Sequence, residues 1–147
     1  DEDDNVVSDN LSSGKKSIVY IVQDPMYKLM PWIPNIHIEH LPRNLQYCYK
    51  YGKLDCKPHL SNEDCLKQSY NRGKHPGAPI DIIKIWELKD SGQSSNAENC
   101  IKSWIRGHRL HIDNLNEDFS ISDYDGDINI IIENVTENLS NSNYISS

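Results

Sequence analysis

Residues 80–88 read IDIIKIWEL and form the longest apolar cluster of a chain of 147 residues. Pro76-Gly77 and Pro79 precede this stretch, and Gly92 follows it. β-Branched and aromatic side chains suit a pleated strand, whereas Pro and Gly mark the turns that bound one. The stretch therefore predicts a β-strand.

Other segments share its composition or alternate apolar and polar residues with a period of two. They are residues 17–23, 36–41, 45–51, 104–112, 119–121 and 128–135. Asp125-Gly126 lies between the last two and is typical of a β-hairpin turn. Six or seven short strands predict a mainly β fold, an antiparallel β-sandwich stabilised by disulfides.

One or two short helices are expected within this fold. The better candidate covers residues 62–70, because Ser61 or Asn62 can cap its first turn and acidic residues follow there. Residues 91–99 predict a second short helix or a loop. We further expect a disordered acidic leader over 1–16, a single β-rich domain over 17–135 and a flexible polar tail over 136–147.

The charge of the chain argues against two classes of partner. The chain has 15 basic and 22 acidic residues, which gives a net charge of −7. Nucleic acids and anionic membranes bind surfaces rich in Lys and Arg, so we expect neither as a partner. No apolar run approaches the roughly 18 residues that a membrane span requires.

Four cysteines predict disulfide bonds rather than a metal or redox motif, because their spacing contains no close pair. Four cysteines allow three connectivities, and the sequence does not decide among them. We favour Cys56–Cys65, which closes a short local loop and leaves Cys48–Cys100 as the second bridge.

Several features favour a secreted, extracellular glycoprotein. The chain begins at Asp1 rather than Met, as after removal of a signal peptide, although a trimmed cytosolic chain would begin in the same way. N-Glycosylation sequons begin at Asn10, Asn134 and Asn138. An even number of cysteines fits the same oxidising environment.

Three segments together resemble the transthyretin-like family of secreted proteins. They are GKLDC at 52–56, GAPIDI at 77–82 leading to WEL at 86–88, and SDYDGDI at 122–128. The resemblance implies an immunoglobulin-like sandwich of seven or eight strands and an extracellular binding role.

Histidines and aspartates offer two possible metal sites. His37 with His40, and His108 with His111, are spaced three residues apart. On a strand such residues point to opposite faces, so each pair alone cannot chelate zinc. One histidine from each pair could still combine with Glu39 or Asp113.

Asp123, Asp125 and Asp127 surround Gly126 and could attract calcium. They number too few for an EF-hand, and bonds to the local backbone are the simpler interpretation. We expect no bound metal, no cofactor and no enzymatic activity, since no catalytic motif is present.

Aromatic residues are the remaining candidates for binding. They are Tyr47, Tyr49 and Tyr51, which share one strand face, with Tyr27 and Trp32 earlier in the chain. Either the tyrosine row is part of the core, which we favour, or it is a recognition surface. We expect a non-catalytic secreted protein that binds an extracellular protein or a small apolar ligand. A metal-dependent secreted enzyme and a structural extracellular component are the alternatives.

Overall fold

A computed structural model describes residues 15–23, 47–73, 80–112, 117–121 and 127–146. Within these ranges the chain forms four strands and three α-helices. In chain order they are β1 (Lys16–Gln23), β2 (Cys48–Cys56), α1 (Asn62–Gly73), β3 (Asp81–Glu87), α2 (Ser94–Gly107), β4 (Asp118–Ser120) and α3 (Ile128–Asn141). The strands form a single sheet in the order β3-β1-β2-β4, and every neighbouring pair is antiparallel.

Strand β1 lies inside the sheet and is buried on both faces. Ile18, Val19, Ile21 and Val22 are each at most 2% exposed. A strand covered on both sides needs an apolar residue at nearly every position, which accounts for its run of IVYIV.

Helix α1 covers one face of the sheet. Its Cys65, Leu66 and Tyr70 pack with Ile18 and Val22 of β1. The Ser61 side chain caps this helix, because its Oγ accepts a hydrogen bond of 3.0 Å from the backbone N–H of Asp64. The predicted helix and its cap are therefore confirmed.

Helices α2 and α3 cover the opposite face. Their buried residues repeat every four positions, at Ala97, Ile101 and Ile105 in α2 and at Ile131, Val135 and Leu139 in α3. These residues form the main core together with side chains of the sheet, at Val19, Ile21, Tyr49, Tyr51, Trp86 and Phe119. The described part of the chain thus has three layers, with helices on both faces of the sheet.

Gly52 on β2 makes room for the aromatic ring of Tyr20 on the neighbouring strand. The two residues are directly paired across β1 and β2. A Cβ atom at position 52 would lie 2.6 Å from Cζ of Tyr20 and closer still to its hydroxyl oxygen. The ring of Tyr20 also meets that of Tyr70 edge-on, at a centroid distance of 6.4 Å, which links the sheet to α1.

Several predicted elements are confirmed. Strands β1, β3 and β4 lie within or overlap segments 17–23, 80–88 and 119–121. Strand β2 begins inside segment 45–51 and continues to Cys56.

Two predicted strands are wrong. Most of segment 104–112 belongs to α2 and its C-terminal turn, and segment 128–135 is the first half of α3. The expected hairpin at Asp125-Gly126 therefore lacks its second strand. In the described part of the chain helices, not a second sheet, pack against the strands, so the mainly β sandwich is corrected to a mixed α/β architecture with one antiparallel sheet.

Secondary structure extends into both predicted terminal segments. The predicted flexible tail begins inside α3, where Leu139 is fully buried, and Ile145 beyond the helix is also buried. Lys16, assigned to the leader, is the first residue of β1. The rest of the predicted leader and the predicted strand at 36–41 lie outside the described residues.

Candidate functional site

The predicted tyrosine row forms part of the core. Tyr49 and Tyr51 are 7% and 2% exposed, and their rings lie 5.9 and 6.2 Å from that of Phe119. Burial raises the pKa of Tyr51 to about 12. Tyr47 is half-buried and packs against the same core. The row is therefore not an exposed recognition surface, and the other two predicted aromatics, Tyr27 and Trp32, lie outside the described residues.

One of the two predicted disulfides is present. Cys56 at the end of β2 is bonded to Cys65 in α1, with their Cα atoms 6.0 Å apart. The second predicted bridge is wrong, because Cys48 and Cys100 are both thiols. Cys48 is in β2, whereas Cys100 is in α2 and packs against the main core.

Both thiols are poorly suited to nucleophilic chemistry. Burial, together with the charge of Asp118, raises the pKa of Cys48 to about 12. Burial also raises the pKa of Cys100, whose Sγ lies 4.0 Å from Oγ of Ser142. A reactive cysteine requires a lowered pKa, so neither residue has the environment of a catalytic thiol.

The histidines that the structure describes are not arranged as a metal site. The ring of His108 stacks on that of Trp104 at 4.0 Å, and His111 forms an isolated β-bridge with Phe119. No group of three His, Cys, Asp or Glu side chains among the described residues could hold a metal ion. His37, Glu39, His40, Asp113, Asp123 and Asp125 lie outside these residues. Asp127 caps α3, because its Oδ1 accepts a hydrogen bond of 3.0 Å from Asn129 N.

Two of the three sequons fall within helix α3. The side chain of Asn134 donates a hydrogen bond to the carbonyl of Ile130. The hydroxyl of Thr136 donates to Ile132 and accepts a bond of 2.9 Å from the indole N–H of Trp86. Asn138 is half-buried on the same helix. Asn10 lies outside the described residues, and use of the sequons stays a prediction.

An open groove runs beside β3, one of the two outer strands of the described sheet. It has a volume of about 400 Å³. Helix α1 and the start of β3 line it, through Glu63, Lys67, Ile80, Asp81, Ile82 and Ile83. The three isoleucines are only half-buried. The groove thus combines an apolar surface, charged walls and the outer edge of a strand.

The carboxyl groups of Glu98 in α2 and of Glu117, just before β4, lie close enough to influence each other electrostatically. Glu98 Oε2 is buried, and no N–H or O–H group among the described residues donates to it. The pKa of Glu98 is raised, first by burial and then by the charge of Glu117, while Lys53 acts in the opposite direction. Glu117 also lies 4.0 Å from Lys50. The charge of Glu117 thus adds to the effect of burial in disfavouring the ionised form of Glu98.

This pair predicts that stability falls as the pH rises above the ordinary range of glutamate. A raised pKa means that folded Glu98 keeps its proton at a pH where the unfolded chain has lost it, and stability declines until the folded group ionises. Glu98→Gln should therefore stabilise the protein by about 0.2–1 kcal/mol at pH 7, since the site is partly exposed. Near pH 3 it should change little.

Urea unfolding at the two pH values measures this difference. Glu133→Gln, which changes an exposed glutamate of α3, is the matched control. A Glu98→Gln variant that is less stable than the parent at pH 7 would contradict the repulsion.

The C-terminal end of α2 carries a strained arginine. Leu110 N donates to Ile105 O and Arg109 N to Arg106 O, both at 3.0 Å, which is the Schellman arrangement. This motif places Arg109 at φ 57°, a left-handed conformation that costs a side-chain-bearing residue about 1–2 kcal/mol. Glycine is the usual residue there. Helix α3 ends in the same way at Asn143, a type that tolerates it better.

No local pattern in the sequence reveals these features. Glu98 and Glu117 are 19 positions apart, so no local spacing links them. The half-buried isoleucines at the start of β3 look like core residues in the sequence.

Among the described helices none is both long and apolar enough to cross a membrane. No protein-family model matches this chain, and comparison with curated proteins and with solved structures finds no match either.

Proposed function

We propose that this chain is a non-catalytic extracellular binding domain, and that it binds an extended segment of a partner protein along the outer edge of β3. The observation that carries the proposal is the groove beside this edge. Among the described strands β3 pairs with β1 alone. A strand edge presents backbone N–H and C=O groups that an added strand can pair with.

The groove fits an extended chain better than a small apolar ligand. Small-molecule sites usually enclose most of their ligand and are lined mainly by apolar groups. This groove is open, and Glu63, Lys67 and Asp81 supply charges at its walls. An added strand would place every second side chain on the α1 side of the sheet, toward Ile80 and Ile82, which gives a pocket for alternate residues of a peptide.

The cysteines support an extracellular location. The Cys56–Cys65 disulfide ties β2 to α1, and such bonds persist mainly in oxidising environments. The thiols of Cys48 and Cys100 have raised pKa values, which slows their oxidation in that environment. The transthyretin-like resemblance implies the same role. We adopt the implied extracellular binding role but not the implied sandwich fold.

The other two candidate functions have less support. A metal-dependent enzyme would need ligands for its metal, and the described residues supply His108 and His111 without a third ligand beside them. A structural component would have to self-assemble. Among the described features the groove beside β3 is the strongest candidate for binding, and it supports binding of a peptide more directly than self-assembly.

Selection from a displayed library of random peptides on the intact chain tests the proposal. We expect selected peptides to alternate apolar and polar residues and to slow hydrogen exchange of β3 amides. Ile82→Lys should abolish their binding. Ile130→Lys, which changes the most exposed large apolar residue of α3, should not.

Melting curves of both variants establish that they fold. Peptides that bind the Ile82→Lys variant as well as the parent would refute binding at this edge, as would equal loss of binding in the two variants.

A further inference from the structure

Strand β3 carries one charged side chain that the described part of the chain leaves unpaired. Its charged residues are Asp81, Lys84 and Glu87. Glu87 accepts a hydrogen bond of 3.1 Å from the side-chain amide of Asn62, and Asp81 is also engaged within the chain. Lys84 is exposed and forms neither a hydrogen bond nor an ion pair with any described residue. The charge left unpaired along this strand is therefore positive, although the net charge of the chain is −7.

A β-bulge determines which side of the sheet Lys84 occupies. Ile21 of β1 pairs with Lys84. The next residue, Val22, pairs with Ile82, so Ile83 is the extra residue of the bulge. Directly opposed residues of an antiparallel pair point to the same face. Lys84 therefore lies on the α2 and α3 side of the sheet with Ile21, whereas Ile82 lies on the α1 side and lines the groove.

A lysine and a bulge at the edge of a sheet both hinder unselective strand pairing. A strand added beside β3 would displace water from around the ammonium group of Lys84. An apolar residue opposite this group would not replace the water, and a basic residue would repel it, whereas a carboxylate would pair with it. An edge of this kind discriminates among partners by penalising the wrong ones. Lys84 thus disfavours added strands that bring no carboxylate to it.

We infer that β3 selects an acidic amphipathic strand, whose apolar residues enter the groove and whose carboxylates face Lys84. This inference rests on the proposed function and adds the charge of the partner segment to it. Alternation along a strand places the two kinds of residue on opposite faces. In the groove Glu63 and Lys67 carry opposite charges and offset each other. Carboxylates elsewhere on the chain matter little, because exposed charges more than about 8 Å apart are largely screened at physiological ionic strength.

Titration of the intact protein with two synthetic peptides of equal length tests this charge preference. One peptide repeats Val-Glu and the other Val-Lys, so they share the apolar face, and binding is measured as slowed hydrogen exchange of β3 amides. We expect the Val-Glu peptide to bind about three- to tenfold more tightly, because one cross-strand ion pair replaces one repulsion. Lys84→Glu should reverse this order, and Lys84→Gln should remove most of the difference. Lys57→Glu, just after β2 and outside the groove lining, changes the net charge equally and should bind both peptides like the parent.

The outcomes separate this inference from the proposed function. Melting curves establish that the variants fold. Equal affinity of the two peptides, no binding of either, an unchanged preference in Lys84→Glu, or the same reversal in Lys57→Glu would each overturn selection by Lys84. If library-selected peptides still bind the parent and not the Ile82→Lys variant, the proposed function stands without the charge preference. If those peptides also leave the exchange of β3 amides unchanged, the proposed function fails together with this inference.

Discussion

Tyr49→Ala should lower the free energy of unfolding by about 3–5 kcal/mol, the usual cost of emptying a large aromatic site in a core. Tyr49 is 7% exposed, and its ring stacks on Phe119 at 5.9 Å. Removal of the ring leaves a cavity between the sheet and the helices of the main core. The midpoint of urea denaturation, followed by circular dichroism, measures the loss.

Tyr47→Ala is the matched control for this change. Tyr47 lies two residues earlier on the same face but is only half-buried. It should therefore cost clearly less than Tyr49→Ala. A Tyr49→Ala variant as stable as the parent would show that the tyrosine row is not core, contrary to the packing described here.

Cys65→Ser should destabilise the protein by about 2–3 kcal/mol through loss of the disulfide to Cys56. The bond joins residues nine positions apart, and the chain-entropy cost of closing so short a loop sets this magnitude. The same loss should appear when the parent protein is unfolded in the presence of a reductant. Reductant should have no effect on the stability of the Cys65→Ser variant.

Cys100→Ser serves as the control, since Cys100 forms no disulfide. It should change stability by less than about 1 kcal/mol, as expected for a half-buried position with no bond to lose. Thiol titration of the denatured, unreduced parent should find two reactive groups, Cys48 and Cys100. A count of zero would mean that these two residues are bridged after all.

The elements that could be predicted from the sequence are those with a strong local signal. The run at residues 17–23 and the stretch at 80–88 became β1 and β3, because β-branched residues bounded by turn residues suit strands. Helix α1 followed from the cap at Ser61 and the acidic first turn. Local sequence signals are sufficient to predict these elements without knowledge of tertiary contacts.

Segment 128–135 has the composition of a strand but the spacing of a helix. Its isoleucines have high β-propensity, yet Ile131, Val135 and Leu139 repeat every four residues and make one buried helical face. The third of these lies beyond the predicted strand, which ends at residue 135. A longer window, with Asp127 as N-cap, would have favoured the helix.

The face of the tyrosine row could not be decided from the sequence alone. Alternation correctly placed Tyr49 and Tyr51 on one side of β2. Whether that side meets solvent depends on α2, whose C-terminal end overlaps the predicted strand at 104–112. The groove beside β3 depends likewise on the sheet order, which no local pattern reveals.

The close approach of Tyr20 to Gly52 has an evolutionary consequence. Any side chain at position 52 would occupy the space of the tyrosine ring, so the two positions share one volume. In homologues of this chain a larger residue at 52 should occur only with a smaller one at 20. Substitution at either site alone would be selected against, and the pair should covary even where neighbouring positions drift independently.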